Sequence, residues 1–244
     1  MKLCIARHGH KANQLSDYDG GFNTPLSEVG FEQAERLAEF LAAEEAVDHL
    51  YSSCQLRSLQ TAQPLHDRIG GPWHVWPVFY EGTTRRWEAQ FERSPTDVEW
   101  ATAWRAGEPI EPPSSDELEE MHGNYYLLSD IPDLFPGTEL SQPFPFPEAW
   151  WELKRGYSAP LGYARAELGL QALFQRHEEG DHIAIVCHGT IGDMLVTALK
   201  DFSRRQRHFS CNNAGVHRVD RVNADTWRIA YINNTRHLSD DLRI

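Results

Sequence analysis

Ile183-Ala184-Ile185-Val186-Cys187-His188-Gly189 decides the fold. An uncharged apolar run that stops at a histidine and a glycine reads as a buried strand ending in a polar loop. A helix is predicted to follow over Ile191–Leu199. The same grammar opens the chain, where Leu3–Ala6 ends in Arg7-His8-Gly9. Between them, Ser27 is placed to cap a helix carrying Phe31, Ala34, Leu37, Ala38 and Leu41 at helical spacing. Val47–Ser52 is a further strand, Arg57–Ile69 a helix ending at Gly70-Gly71, and His74–Tyr80 alternates as a strand does. Trp150–His177 reads as helix, interrupted at Gly156 and Pro160. Val216–Val222 and Trp227–Ile232 close the chain as a strand pair. Strands alternating with helices predict an α/β fold, a three-layer α/β/α sandwich with a mostly parallel central sheet. Catalytic groups in such sheets gather at strand carboxyl ends. That points to residues 7–10, 52–57 and 187–190.

The 244 residues fit a single domain over 1–244. The net charge of −13 is uneven. Residues 81–154 hold sixteen acids against five bases, whereas the remainder is nearly balanced. The same region carries Trp87, Trp100, Trp104, Trp150 and Trp151 and two proline-rich stretches. Residues 83–159 therefore read as a large acidic insertion over the strand carboxyl ends. It is either an irregular excursion packed back on the body or a cap that selects substrate. Overall acidity disfavours nucleic acid and anionic membranes as partners. No apolar run is long enough for a membrane helix, and the N-terminal one is too short for a signal-peptide core. Cys4, Cys54, Cys187 and Cys211 have no CxxC spacing, which predicts free thiols in the cytoplasm.

The three loops carry Arg7, His8, His10, Arg57 and His188. Guanidinium forks match phosphate oxygens in pairs. A histidine beside such cations is held neutral, and a neutral imidazole is a nucleophile. This set suits phosphoryl transfer through a phosphohistidine. His8 and His10 lack a neighbouring carboxylate or cysteine at ligand spacing, so no metal and no other cofactor is expected.

The ordered motifs resemble the histidine phosphatase superfamily, the phosphoglycerate mutase-like family. They are Ala6-Arg7-His8-Gly9, Asn23-Thr24-Pro25-Leu26-Ser27-Glu28-Val29-Gly30 with Gln33-Ala34, Ser52-Ser53-Cys54-Gln55-Leu56-Arg57 with Gln60-Thr61-Ala62, Tyr80-Glu81-Gly82, Val186-Cys187-His188-Gly189, Asn212-Asn213-Ala214-Gly215 and Asn233-Asn234-Thr235-Arg236-His237-Leu238. They frame roughly residues 1–82 and 160–244, and the insertion matches no named pattern. The resemblance implies that His8 is the nucleophile and that Arg7, Arg57 and His188 bind the phosphoryl oxygens. It further implies that Glu81 is the general acid. Asn13, Gln14, Gly189 and Thr190 are the remaining substrate-binding positions. The family's phosphate-contacting asparagine falls at Gln14, with Asn13 one residue earlier, and the sequence does not choose between them. His10 stands where the family often has Glu, Gln or Asp, and either tunes the pocket rim or is exposed. His237 reads as structural and Cys187 as a small buried residue. Lys200, Arg204, Arg205, Arg207 and His208 form either a solvated helix end or a secondary anion contact.

The implied activity is a metal-independent phosphatase acting on a small phosphorylated metabolite. Alternatives are a phosphoglycerate mutase, faintly echoed by Arg85-Arg86, a protein phosphatase, and a phosphate-dependent binding module with little turnover. A homodimer is compatible with the sequence.

Overall fold

The strands are β1 (Lys2–Arg7), β2 (His49–Ser52), β3 (Trp73–Val75), β4 (Thr138–Glu139), β5 (His182–Cys187), β6 (Val216–Asn223) and β7 (Thr226–Asn234). They form one sheet in the order β4-β3-β2-β5-β1-β6-β7. The computed structural model describes residues 1–14, 23–81, 126–143, 146, 148, 159–200, 209–223 and 226–244. Neighbours from β4 to β1 are parallel, while β6 and β7 run antiparallel. The helices among the described residues are α1 (Glu28–Ala43), α2 (Leu56–Ile69), α3 (Ile131–Leu134), α4 (Ala159–Arg176) and α5 (Gly189–Lys200).

Alternation along each central strand divides the core in two. Cys4, Ala6, Ala184 and Val186 face Leu37, Leu41, Leu59 and Leu65 of α1 and α2. Leu3, Ile5, Ile183 and Ile185 face Tyr163, Leu170, Met194 and Leu195 of α4 and α5. Burial on both faces is the reason β1 and β5 read as unbroken apolar runs. The three-layer α/β/α arrangement expected from the sequence is present.

Two boundaries differ from the sequence reading. His74–Tyr80 is not one strand. β3 stops at Val75, the Trp76 N–H donates to the Ser52 carbonyl at 2.8 Å, and Pro77–Phe79 forms a 3₁₀ turn. Pro77 has no N–H to continue the ladder. The second difference lies at the sheet edge. Within the segment 83–159, β4 extends the sheet beside β3, which the sequence did not indicate, while Tyr126, Leu128 and Ile131 pack back on the body as one of its two readings had it. The five tryptophans of that segment, Arg85-Arg86, Gly82, Gly156 and residues 201–208 lie outside the described residues.

α1 begins as expected, with Ser27 Oγ accepting from the Gly30 N–H at 3.2 Å. Its first turn lies against the loop after β1. A Cβ on Gly30 would stand 2.0 Å from the His10 carbonyl oxygen, and one on Gly9 would stand 2.6 Å from the Gly30 carbonyl oxygen. Only glycines permit this approach. Gly30→Ala is expected to cost about 1–3 kcal/mol of stability by forcing helix and loop apart. Urea unfolding monitored by circular dichroism measures this.

Candidate active site

β1 and β5 pair with Arg7 opposite Cys187, so the next residue of each strand is His8 and His188. The His8 N–H donates to the Cys187 carbonyl at 2.9 Å. The two rings meet edge to face with centroids 5.1 Å apart. β2 ends beside them at Ser52, opposite Val186, and α2 then starts with Leu56 and Arg57. His8, Arg57 and His188 are 3%, 4% and 1% exposed, so the three strand ends bring these groups together inside the protein.

His8 Nδ1 lies 2.7 Å from the Gly9 carbonyl oxygen. A carbonyl only accepts, so the ring proton sits on Nδ1 and Nε2 keeps its lone pair. Nε2 makes no hydrogen bond among the described residues. The Gly9 carbonyl also accepts from Asn213 Nδ2 at 3.1 Å, which fixes its direction. The Gly9 N–H donates to Thr61 Oγ1 at 3.1 Å, and the His10 N–H to Gln33 Oε1 at 2.6 Å. Burial, with Arg57 and Arg7 adding to it, holds the His8 imidazole well below its usual pKa of 6.5. It is therefore neutral, as a nucleophile requires.

His188 is set by hydroxyls. Its Nε2 is 2.9 Å from Ser53 Oγ and 3.2 Å from Ser58 Oγ. Ser53 Oγ accepts from the Gln55 N–H and keeps a proton it can donate to Nε2, which would leave the ring proton on Nδ1. Nδ1 is buried and has no hydrogen-bond partner among the described residues. Burial, followed by Arg57 and His8, keeps this ring neutral too.

Arg7 donates from Nη1 to the Cys211 carbonyl at 2.7 Å. Arg57 donates from Nη2 to Gln55 Oε1 at 3.1 Å, while its Nε is buried without a partner among the described residues. Burial pulls the Arg57 pKa down to about 10, against the attraction of Glu81. Gln55 Oε1 also accepts from the Glu81 N–H at 3.2 Å, so one amide ties the guanidinium to the carboxylate residue. Glu81 Oε2 accepts from the Ile191 N–H at 3.4 Å and so sits at the amino end of α5, whose first two residues are Gly189 and Thr190. Gly189 is buried and Thr190 half-buried.

Gln14 is exposed, with its Oε1 turned back to the Lys11 N–H at 3.2 Å. Asn13 shares that 3₁₀ turn, but its side chain lies outside the described residues. His10 is buried, which excludes its exposed reading. Its Nδ1 lies 2.8 Å from the Ser27 capping hydroxyl. His237 stacks on Phe40 at 4.9 Å and bonds the Ala214 carbonyl at 3.0 Å, a packing role. Cys187 is fully buried, and desolvation drives its thiol pKa well above the ordinary value.

Sequence reasoning missed Lys11, Ser53, Gln55 and Ser58. Lys11 stands three residues after His8, and its charge reaches both His8 and His188. Its pKa is lowered by burial and by Arg57 and Arg7. Ser53 and Gln55 lay inside a quoted motif, and their polarity beside a strand end was the available signal. Three cations, one carboxylate and two neutral imidazoles thus share this end of the sheet, a balance suited to a phosphate dianion.

A family model for the histidine phosphatase superfamily (branch 1) matches residues 3–124 and 138–235. The chain belongs to the histidine phosphatase superfamily. The match to that superfamily passes through much of 83–159 as well. Phosphoglycerate mutase-like protein 4 of Arabidopsis thaliana is 23% identical over 240 residues, covering 98% of this chain and 87% of that protein. Three solved structures share the superfamily fold. A phosphoserine phosphatase variant of Entamoeba histolytica, in complex with phosphoserine, is 20% identical, with a TM-score of 0.59 and coverage of 98% and 99% of the two chains. A mycobacterial glucosyl-3-phosphoglycerate phosphatase is 20% identical, with a TM-score of 0.58 and coverage of 96% and 99%. A putative alpha-ribazole-5'-P phosphatase of Escherichia coli is 18% identical, with a TM-score of 0.57 and coverage of 96% and 97%. No helix among the described residues is long and apolar enough to cross a membrane.

Two measurements follow from the neutral imidazoles and the clustered cations. Inorganic phosphate is expected to raise the Tm of the wild type, and Arg57→Ala to weaken phosphate binding at least tenfold, about 1.4 kcal/mol. Titration calorimetry reads the second effect. The folded chain keeps His8 and His188 neutral below pH 6.5, where the unfolded chain protonates them. Stability is then fully present above pH 6.5 and falls as pH drops below it, by up to about 1.4 kcal/mol per pH unit for each ring. Urea midpoints measured across that range check the slope, and His188→Asn is expected to flatten it.

Proposed function

We propose that this protein is a metal-independent phosphatase that hydrolyses a small phosphomonoester through a covalent phosphohistidine on His8. One observation carries the reading. The His8 Nδ1 proton is committed to the Gly9 carbonyl, and Nε2 is left as a lone pair beside Arg7, Arg57 and His188. Arg7, Arg57, Lys11 and the His188 Nδ1–H hold the phosphoryl oxygens and neutralise charge on them during transfer. His8 Nε2 attacks phosphorus in line as the bond to the leaving oxygen breaks. Glu81 donates its proton to that oxygen and becomes the base for the next step. A water then loses its proton to Glu81 and attacks phosphorus. The N–P bond breaks, and its electron pair returns to Nε2. Because Nδ1 keeps its proton throughout, the phosphorylated ring is cationic and the Gly9 carbonyl stabilises it. A cationic ring is also the better leaving group. Asn13 and Gln14 are both candidate partners for the substrate at that loop, and Gln14 Oε1 accepts from the Lys11 N–H in the resting arrangement.

Phosphate release from p-nitrophenyl phosphate is expected to survive chelator and to fall at least a thousandfold in His8→Ala. Rapid quench is expected to trap an acid-labile, base-stable label on the wild type. No turnover of any monoester would overturn the reading in favour of a binding module. Exchange between 2- and 3-phosphoglycerate would favour a mutase. Glu81→Gln is expected to lower kcat about 10²–10⁴-fold on alkyl phosphates. The loss on p-nitrophenyl phosphate is expected to be smaller, because that leaving group needs little protonation.

A further inference from the structure

A second cluster lies at the opposite end of the sheet. His49 is the first residue of β2, Asp181 precedes β5, and His177 follows α4. β2 and β5 pair with His49 opposite Ile183, which brings His49 beside Asp181. One donor atom from each of His49, His177 and Asp181 lies within 4.8 Å of the other two. His177 Nδ1 is 2.9 Å from Asp181 Oδ2, and His49 Nε2 is 3.5 Å from the same oxygen. Donors on a tetrahedral ion with bonds of about 2.0–2.1 Å stand roughly 3.3 Å apart. The two separations to Asp181 fall on either side of that value, and the two imidazole donors lie within 4.8 Å of each other.

The donor set is two imidazoles and one carboxylate, which suits zinc-class ions rather than magnesium or calcium. The far side of His177 is also arranged for this. Its Nε2 lies 2.7 Å from Tyr51 Oη, and Tyr51 is fully buried. A histidine ligating through Nδ1 carries its proton on Nε2 and donates it to an outer partner, which fixes the ring. Tyr51 Oη is that acceptor. Asp48 Oδ1 stands 3.6 Å from His49 Nε2, at the edge of the cluster. The side chains of His49 and Asp181 are partly exposed, at 35% and 26%, which leaves an entry path, while that of His177 is buried.

We propose that His49, His177 and Asp181 form a structural binding site for a divalent transition ion of the zinc class, tying the end of α4 to β2 and β5 away from the phosphoryl site. The proposal is independent of the phosphatase reading.

The test uses the chelator-stripped full-length protein titrated with zinc against a chromophoric chelator, with Tm measured in parallel. One equivalent is expected to bind the wild type and His8→Ala alike and to raise Tm in both. His49→Ala and Asp181→Asn are each expected to weaken binding at least tenfold and to abolish the Tm rise. Cobalt in place of zinc is expected to give visible d–d bands in the wild type and none in Asp181→Asn. Circular dichroism of the stripped variants guards against misfolding, and Tyr51→Phe, which keeps all three ligands, is expected to bind more weakly than wild type. Zinc binding unchanged in His49→Ala and Asp181→Asn, binding lost only in His8→Ala, or no binding at all would each overturn the proposal. The last two results would leave the cluster as an ion-pair network.

Discussion

The parallel pairing of β1 with β5 is the constraint on which the site rests. Both strands end at the same level, and the next residue of each is a histidine. A slip of one residue would turn every side chain to the opposite face of the sheet. It would also exchange Cys4 and Ala6 with Leu3 and Ile5 between two cores that have different shapes. Register is therefore set by packing on both faces, and the distance between the His8 and His188 rings is a consequence of that packing. The loop beyond β1 is then pinned from three directions by Thr61 on α2, Gln33 on α1 and Asn213 before β6.

The electrostatics of the site oppose the stability of the empty chain. Buried imidazoles are kept neutral, and Arg57 is desolvated with Nε unpartnered among the described residues. Such groups are costly when buried without a partner. A bound phosphoryl group would supply what they lack, so part of the cost of folding becomes binding free energy when substrate arrives. The acidic balance of the whole chain does not interfere, because a buried field is set by neighbours within a few ångströms and distant surface charge is screened.

Much of this was legible in the sequence because it rests on short-range grammar. Apolar runs gave β1 and β5, Ser27 announced α1, and Gly70, at φ 65°, ended α2. Motif residues such as Gln33, Thr61 and Asn213 were visible as a pattern, and their shared task became clear only once they converged on one loop. Other features were illegible for physical reasons. Pro77 cut a strand that alternation alone extended, and β4 is a two-residue edge with no periodicity to detect. The exposed alternative for His10 fails because its partner is the cap of a helix farther along the chain. The His49, His177 and Asp181 cluster draws on three separate element ends, and although His177 and Asp181 are four residues apart, His49 is too distant in the chain for spacing to complete the set.

Arg165 is 1% exposed, and it donates from α4 to the carbonyl of Tyr80 at 2.9 Å. Gln55 holds the next residue, Glu81, by its N–H. The backbone leading to the carboxylate is thus clamped from both layers of helices just before residues 82–125 begin. Under the proposed function, that clamp fixes the acid independently of whatever follows it in the chain. Substitutions beyond Glu81 then act on a backbone already tied down on both sides, so the carboxylate's place does not depend on them.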